Sequence, residues 1–130
     1  MDKEVIRGDN HVTRIVERLG APISPVVRAG ELLFVSGTPP IAEDGSFVAG
    51  DIRDQTALVL DNLRLLLESA GSSLDKVVKC TLFCTNAAYW NAVNEVYATY
   101  FPKDPPARTF CTVGSWPQAF DIEIECVAIA

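Results

Sequence analysis

The chain has 130 residues, 48% of them hydrophobic and 22% charged, which suits one domain that buries enough surface to fold without staples. Seventeen acidic residues against eleven basic ones leave a net charge of −6, so the surface repels phosphate backbones and nucleic acid is a poor default partner. No stretch approaches the ~18 apolar residues of a membrane span, and Met1–Arg7 lacks a signal-peptide core, so a soluble, cytoplasmic protein with no membrane partner is expected.

Residues 1–20 form an N-terminal segment: Met1 to His11 is polar and unpatterned, and Thr13–Leu19 is a candidate edge strand. The main domain spans 21–130. It opens with the proline-bounded loop Ala21–Pro25, then Val26–Arg28, a turn at Ala29–Glu31, and Leu32–Gly37, together a β-hairpin. The second strand of that hairpin is nearly all apolar, which predicts burial on both faces, and it ends in Ser36-Gly37, where the missing Cβ lets a ligand approach. A short strand is expected at Ser46–Val48.

Asp51 caps a helix whose apolar positions, among them Val59, Leu60, Leu63 and Leu67, recur at three and four until Gly71. Leu74–Thr85 reads as the next strand, and Asn86 caps a second helix that carries an aromatic stripe through Tyr89, Trp90, Tyr97 and Phe101 to Pro102. Most of that stripe is core packing by its spacing, with Tyr89 and Trp90 also able to line a pocket. Strand, helix, strand, helix, strand makes two crossover units of a mixed α/β (α+β) domain.

Four cysteines raise a metal or disulfide reading, yet Cys80 and Cys84 are four apart on a strand, roughly 13 Å from each other. They cannot share one zinc ion or one S–S bond, so buried free thiols in a reducing compartment are expected.

Two features carry chemistry. The run Pro105-Pro106-Ala107-Arg108-Thr109 delivers one guanidinium to the start of a strand, where it is either a surface arginine or an anchor for a small carboxylate. The last segment alternates, with Phe120, Ile122, Ile124, Cys126 and Ala128 on one face and Asp121, Glu123 and Glu125 on the other. This acidic strand is expected to pair with the Arg108 strand and to share a face with it. His11 is the only histidine, so acid–base chemistry elsewhere falls to a carboxylate, thiol or hydroxyl. The acids are either solvated or, if a neighbouring subunit covers them, raised in pKa and able to handle protons.

Val35-Ser36-Gly37, Gln55-Thr56 to Asn62-Leu63, Ala70-Gly71-Ser72-Ser73-Leu74, Asn91 to Tyr97, Pro105 to Arg108 and Ile122 to Glu125 occur in one order, and together they resemble the Rid (YjgF-like) enamine/imine deaminases over about residues 21–130. The resemblance implies a chorismate-mutase-like fold, a mixed six-stranded sheet with two helices on one face, and a homotrimer with sites at subunit clefts. It implies no cofactor and no metal. Arg108 matches the residue that grips the substrate carboxylate and Glu123 the acid that places the hydrolytic water. Ser36 and Gly37 match a Ser-Gly whose hydroxyl and amide hydrogen-bond the substrate.

Departures bear on the pocket: Ile23 replaces a common tyrosine, Thr38 a glutamine, Phe110 a cysteine and Ala88 an asparagine, with Trp90 at a phenylalanine position. Ile23, Thr38, Trp90 and Phe110 therefore predict a more apolar substrate site than in the archetype, suited to larger unsaturated amino acids. Alternative functions are a non-catalytic binder or sensor of small acids and, as described for some relatives, an RNA-acting translation inhibitor.

Overall fold

A computed structural model describes residues 1–130. Its longest helix, Ile52–Ser69, is marked at both ends by the sequence. The Asp51 carboxylate accepts from the amides of Arg53 and Asp54, two donors that a first helical turn leaves without partners. Beyond the other end Gly71 takes φ +83°, which glycine adopts without a Cβ penalty. Val59, Leu60, Leu63, Leu66 and Leu67 form its buried stripe. Cutting one such leucine back to alanine costs about 2–5 kcal/mol, so this stripe secures the helix to the sheet.

In chain order the elements are β1 (Lys3–Ile6), α1 (His11–Leu19), β2 (Val26–Ala29), β3 (Leu32–Thr38), α2 (Ile52–Ser69), β4 (Val77–Cys84), α3 (Trp90–Tyr100), β5 (Ala107–Thr112) and β6 (Ile122–Ile129). The strands make one six-stranded sheet in the order β1-β2-β3-β6-β4-β5. β4 and β5 are parallel and the other neighbours antiparallel. Both expected crossovers are present: β4–α3–β5 joins neighbours, and β3–α2–β4 spans the place that β6 fills. The expected pairing of β6 with the Arg108 strand is absent, because β4 lies between them. Long-range strand order leaves no local mark in the sequence, whereas each strand's own period does.

The pleat sorts side chains by face. Leu33 and Val35, Cys80, Leu82 and Cys84, and Ile122, Ile124, Cys126 and Ala128 are buried beneath the helices. The opposite face carries Phe34, Thr81, Glu123, Glu125 and Val127. It is open in the protomer, so β3 is not buried on both sides as its apolar run suggested: Phe34 is 45% exposed.

The N-terminal segment differs from expectation. Thr13–Leu19 belongs to a helix, and the edge strand is Lys3–Ile6, paired with β2. Val12, Ile15, Val16 and Leu19 fall at helical spacing, and that period outweighs the strand preference of the β-branched Val12, Ile15 and Val16. The Asn10 side chain accepts from the Thr13 amide, and Gly20 closes the helix at φ +70°. Two long-range bonds dock α1: Asn10 Nδ2 donates to Ser69 Oγ at 3.1 Å, and His11 Nε2 donates to the Ile41 carbonyl at 3.0 Å. Thus α1 is a third helix, packed against α2.

Smaller differences follow local geometry. Ser46–Val48 contributes only a bridge between Ile41 and Phe47. β4 starts at Val77 after one 3-10 turn, and Asn86 caps a 3-10 turn that leads into α3. The four cysteines are free thiols, three buried and Cys111 half-buried. No helix is long and apolar enough to cross a membrane.

Candidate functional site

The register of β3 against β6 slips between Val35 and Thr38, so Ser36 and Gly37 form a bulge beside Glu123. A Cβ placed on Gly37 would lie 2.8 Å from Glu123 Cδ and nearer still to Oε1. Glycine at this position is what leaves room for the carboxylate. The start of β6 is itself clamped: Gln55 donates from Nε2 to Asp121 Oδ2 at 2.9 Å, and its Oε1 accepts from the Asp121 amide at 2.7 Å. Thr85 Oγ1 donates to the other Asp121 oxygen at 2.8 Å. Asp121 is thereby fixed two residues ahead of Glu123, and Glu123 can slide neither along nor across the sheet.

Burial pushes the Glu123 carboxyl above the usual carboxylate range, and the like charge of Glu125 adds to the effect. None of the three ion pairs, all on exposed side chains, includes Glu123 or Arg108. Glu123 is thus a partly desolvated acid without a cation, the arrangement that suits proton transfer near neutrality.

Glu123 opens into a cavity of about 300 Å³ whose wall also includes Ile23, Ser36, Gly37 and Thr38. Five of the eight residues expected at the site therefore meet in one protomer. Their hydrogen bonding differs from expectation. Ser36 Oγ donates to the Ser24 carbonyl at 2.7 Å and Thr38 Oγ1 to the Ser36 carbonyl at 2.9 Å. Both hydroxyl protons are spent on the backbone around the bulge, so Ser36 can only accept from a ligand. The wall also includes Val12, Val16 and Leu19 of α1, with Phe47, Trp116 and Phe120. Sequence reasoning missed all six. The helical spacing of the α1 residues was the available signal.

Arg108, Trp90 and Phe110 lie elsewhere, at the β5 edge beside α3. The Arg108 guanidinium sits over the Trp90 ring at 4.8 Å and the Tyr97 ring at 4.9 Å, and Trp90 meets Phe110 edge to face at 5.1 Å. Burial pushes the Tyr97 phenol well above its usual range, which keeps it a neutral face for the cation. Ala88 is exposed on the turn before α3, its amide held by Asn86 Oδ1 at 2.8 Å.

Arg108 and Glu123 do not share a face. Arg108 is level with Cys80, whose buried side chain lies under the helices, and Glu123 is level with Phe83 on the open side. Two strand spacings and three residues separate them, roughly 14 Å along the sheet. One protomer thus presents two half-sites: an acid over a cavity, and a cation between aromatic rings.

The family model described as Endoribonuclease L-PSP matches residues 17–130. A RutC family protein of Pyrococcus horikoshii is 41% identical over 127 residues, 97% of each chain. Reactive Intermediate Deaminase A, chloroplastic, of Arabidopsis thaliana is 41% identical over 108 residues, 82% of this chain and 58% of that one. Among solved structures, a protein of the conserved Rid family from Yersinia pestis has a TM-score of 0.88 at 37% identity, covering 99% of this chain and 100% of its own. The YjgF gene product of E. coli has a TM-score of 0.79 at 29% identity, covering 84% of this chain and 88% of its own.

Proposed function

The chain belongs to the Rid (endoribonuclease L-PSP) family, and from that membership we propose that it is a deaminase: it hydrolyses the C–N bond of a carboxylate-bearing enamine, or its imine tautomer, to a 2-keto acid and ammonia. The observation that carries this reading is Glu123, a partly desolvated acid with no cation, given room by Gly37 in the lining of a cavity.

Arg108 pairs with the substrate carboxylate through two parallel hydrogen bonds, with its unpaired guanidinium already oriented by two rings. An enamine first gains a proton on its β-carbon and becomes the iminium, the protonated form of the imine. Ionised Glu123 takes a proton from water as the oxygen adds to the imine carbon, and the nitrogen becomes an amine. The protonated acid then passes its proton to that amine, the C–N bond breaks and ammonia leaves, and the carbonyl closes as the hydroxyl proton returns to the ionised Glu123. Proton transfer of this kind contributes about 10²–10⁴-fold, and fixing substrate and water together adds to it.

A 2-imino acid places its carboxylate one bond from the reacting carbon, so Arg108 and Glu123 must stand close to one molecule. Their separation on opposite faces supports a site completed between copies, one protomer's Arg108 with its neighbour's Glu123, in a homotrimer with no cofactor. The open face with Phe34 and Val127 is the surface that such an assembly covers. The test measures keto acid and ammonia from imines made in situ by an amino-acid oxidase. We expect release above the spontaneous rate, lost in Arg108→Ala and Glu123→Gln. Wild-type turnover of a carboxylate substrate by Arg108→Ala would overturn the assignment. Full function in Glu123→Gln would indicate a binder rather than an enzyme.

A further inference from the structure

We propose that the cavity under α1 receives the substrate's side chain, which makes the protein selective for 2-imino acids with large apolar side chains and makes α1 the element that sets this selectivity. The inference rests on the deaminase reading and names the substrate class of that site. Glu123, Ser36, Thr38 and Gln118 supply the polar side chains of the lining, while Val12, Val16 and Leu19 of α1 with Phe47, Trp116 and Phe120 supply much of its apolar wall. A volume of about 300 Å³ exceeds what a methyl group needs and falls at the small end of ligand sites, about 300–1,000 Å³.

The wall is built firmly. Phe120 stacks on Trp116 at 4.5 Å and on Phe47 at 5.8 Å. α1 is held by the His11 and Asn10 bonds, so the space is a formed pocket rather than a gap under a loose helix. At its mouth Leu19 and Ile23 are 54% and 53% exposed, apolar surface that a bulky side chain would cover. Val12 and Val16 precede residue 17, where the family match begins, whereas Leu19, Phe47, Trp116 and Phe120 lie within it. Ile23, where the sequence departs from the family's common tyrosine, lines this cavity. Trp90 and Phe110 do not line this cavity.

The experiment measures calorimetric Kd values for the stable products pyruvate, 2-oxobutanoate, 4-methyl-2-oxopentanoate and phenylpyruvate. Wild type should bind more tightly along the series, by about four-fold per added methylene. Two variants should collapse the ratio between the largest and smallest ligands several-fold: Val16→Trp, which fills the cavity, and Leu19→Glu, at an exposed position that folding tolerates. A flat wild-type series, or a ratio unchanged in both folded variants, overturns the pocket. The same series run as imines separates the two readings. Acceleration independent of size leaves the deaminase standing and removes the pocket, whereas size-graded keto-acid binding with no imine accelerated leaves the pocket and removes the deaminase.

Discussion

The two half-sites of one protomer are built on different principles. Glu123 is placed by backbone: a bulge, a glycine that leaves room, and the Gln55–Asp121 clamp fix the strand on which it stands. Arg108 is placed by side chains, its guanidinium resting on two rings at the sheet's edge strand. A backbone-placed group fails when one atom is added to its surroundings, whereas a ring-placed group loosens by degrees. That contrast orders the expected sizes of the mutational effects.

The sharpest way to break it is Gly37→Ala. Gly37 is not at positive φ, so alanine adds no backbone strain, and the methyl group meets the movable end of Glu123 rather than main chain. The fold should survive with a change in stability below about 1 kcal/mol, while the carboxylate is pushed off its position. Turnover should fall about 10²–10⁴-fold, as far as Glu123→Gln takes it. A Tm close to wild type with kcat close to wild type would show that the carboxylate's place is not what matters.

Complementation tests whether the halves belong to different copies. Arg108→Ala and Glu123→Gln, each expected to be inactive alone, should regain activity when co-expressed, because mixed assemblies of the proposed homotrimer bring an intact Arg108 to an intact Glu123. Random mixing makes about one site in four complete, so about a quarter of wild-type activity is expected for a cyclic assembly. No recovery in verified mixed trimers would put both residues' work within one chain. Sedimentation near 14 kDa, the monomer mass, would remove the assembly altogether.

What the sequence showed and hid follows the same division. The α2 caps, the β4 run and the β6 alternation were legible because each is written in neighbouring residues. Arg108, Glu123 and the Ser36-Gly37 bulge were legible as a resemblance in motif order. The face each occupies was not, since it depends on β6 entering between β3 and β4, a pairing of residues some ninety positions apart. α1 was misread because Val12, Thr13, Ile15 and Val16 favour strands locally, while the Asn10 cap and the period of three and four favour a helix. The cavity wall went unseen with it.

The pH dependence of stability sharpens the account of Glu123. Its folded pKa is raised, so the folded state favours the protonated acid. The stability this confers is fully present below the ordinary glutamate value of about 4.3 and is lost as pH rises through the higher folded value. At neutral pH ionised Glu123 therefore costs stability. Glu123→Gln should raise Tm at pH 7–8, and the gain should vanish toward pH 4. A variant less stable than wild type at pH 8 would mean that the carboxylate has a stabilising partner in the assembly.

The smallest effect is expected at the rings. Trp90 is the one to change, because it is 45% exposed and its loss leaves the core intact, whereas Tyr97 is buried. An exposed cation–π contact contributes about 0.5–1 kcal/mol, and the Tyr97 ring remains. Trp90→Leu should therefore let the guanidinium sample more positions before substrate arrives, raising KM by about two- to five-fold at nearly constant kcat. Trp90→Phe, which keeps a ring over the cation and against Phe110, should recover most of that loss. If Trp90→Leu instead lowers kcat at constant KM, the ring acts on the reacting atoms and not on the anchor, and the graded loosening of the Arg108 half gives way to a placement as strict as that of Glu123.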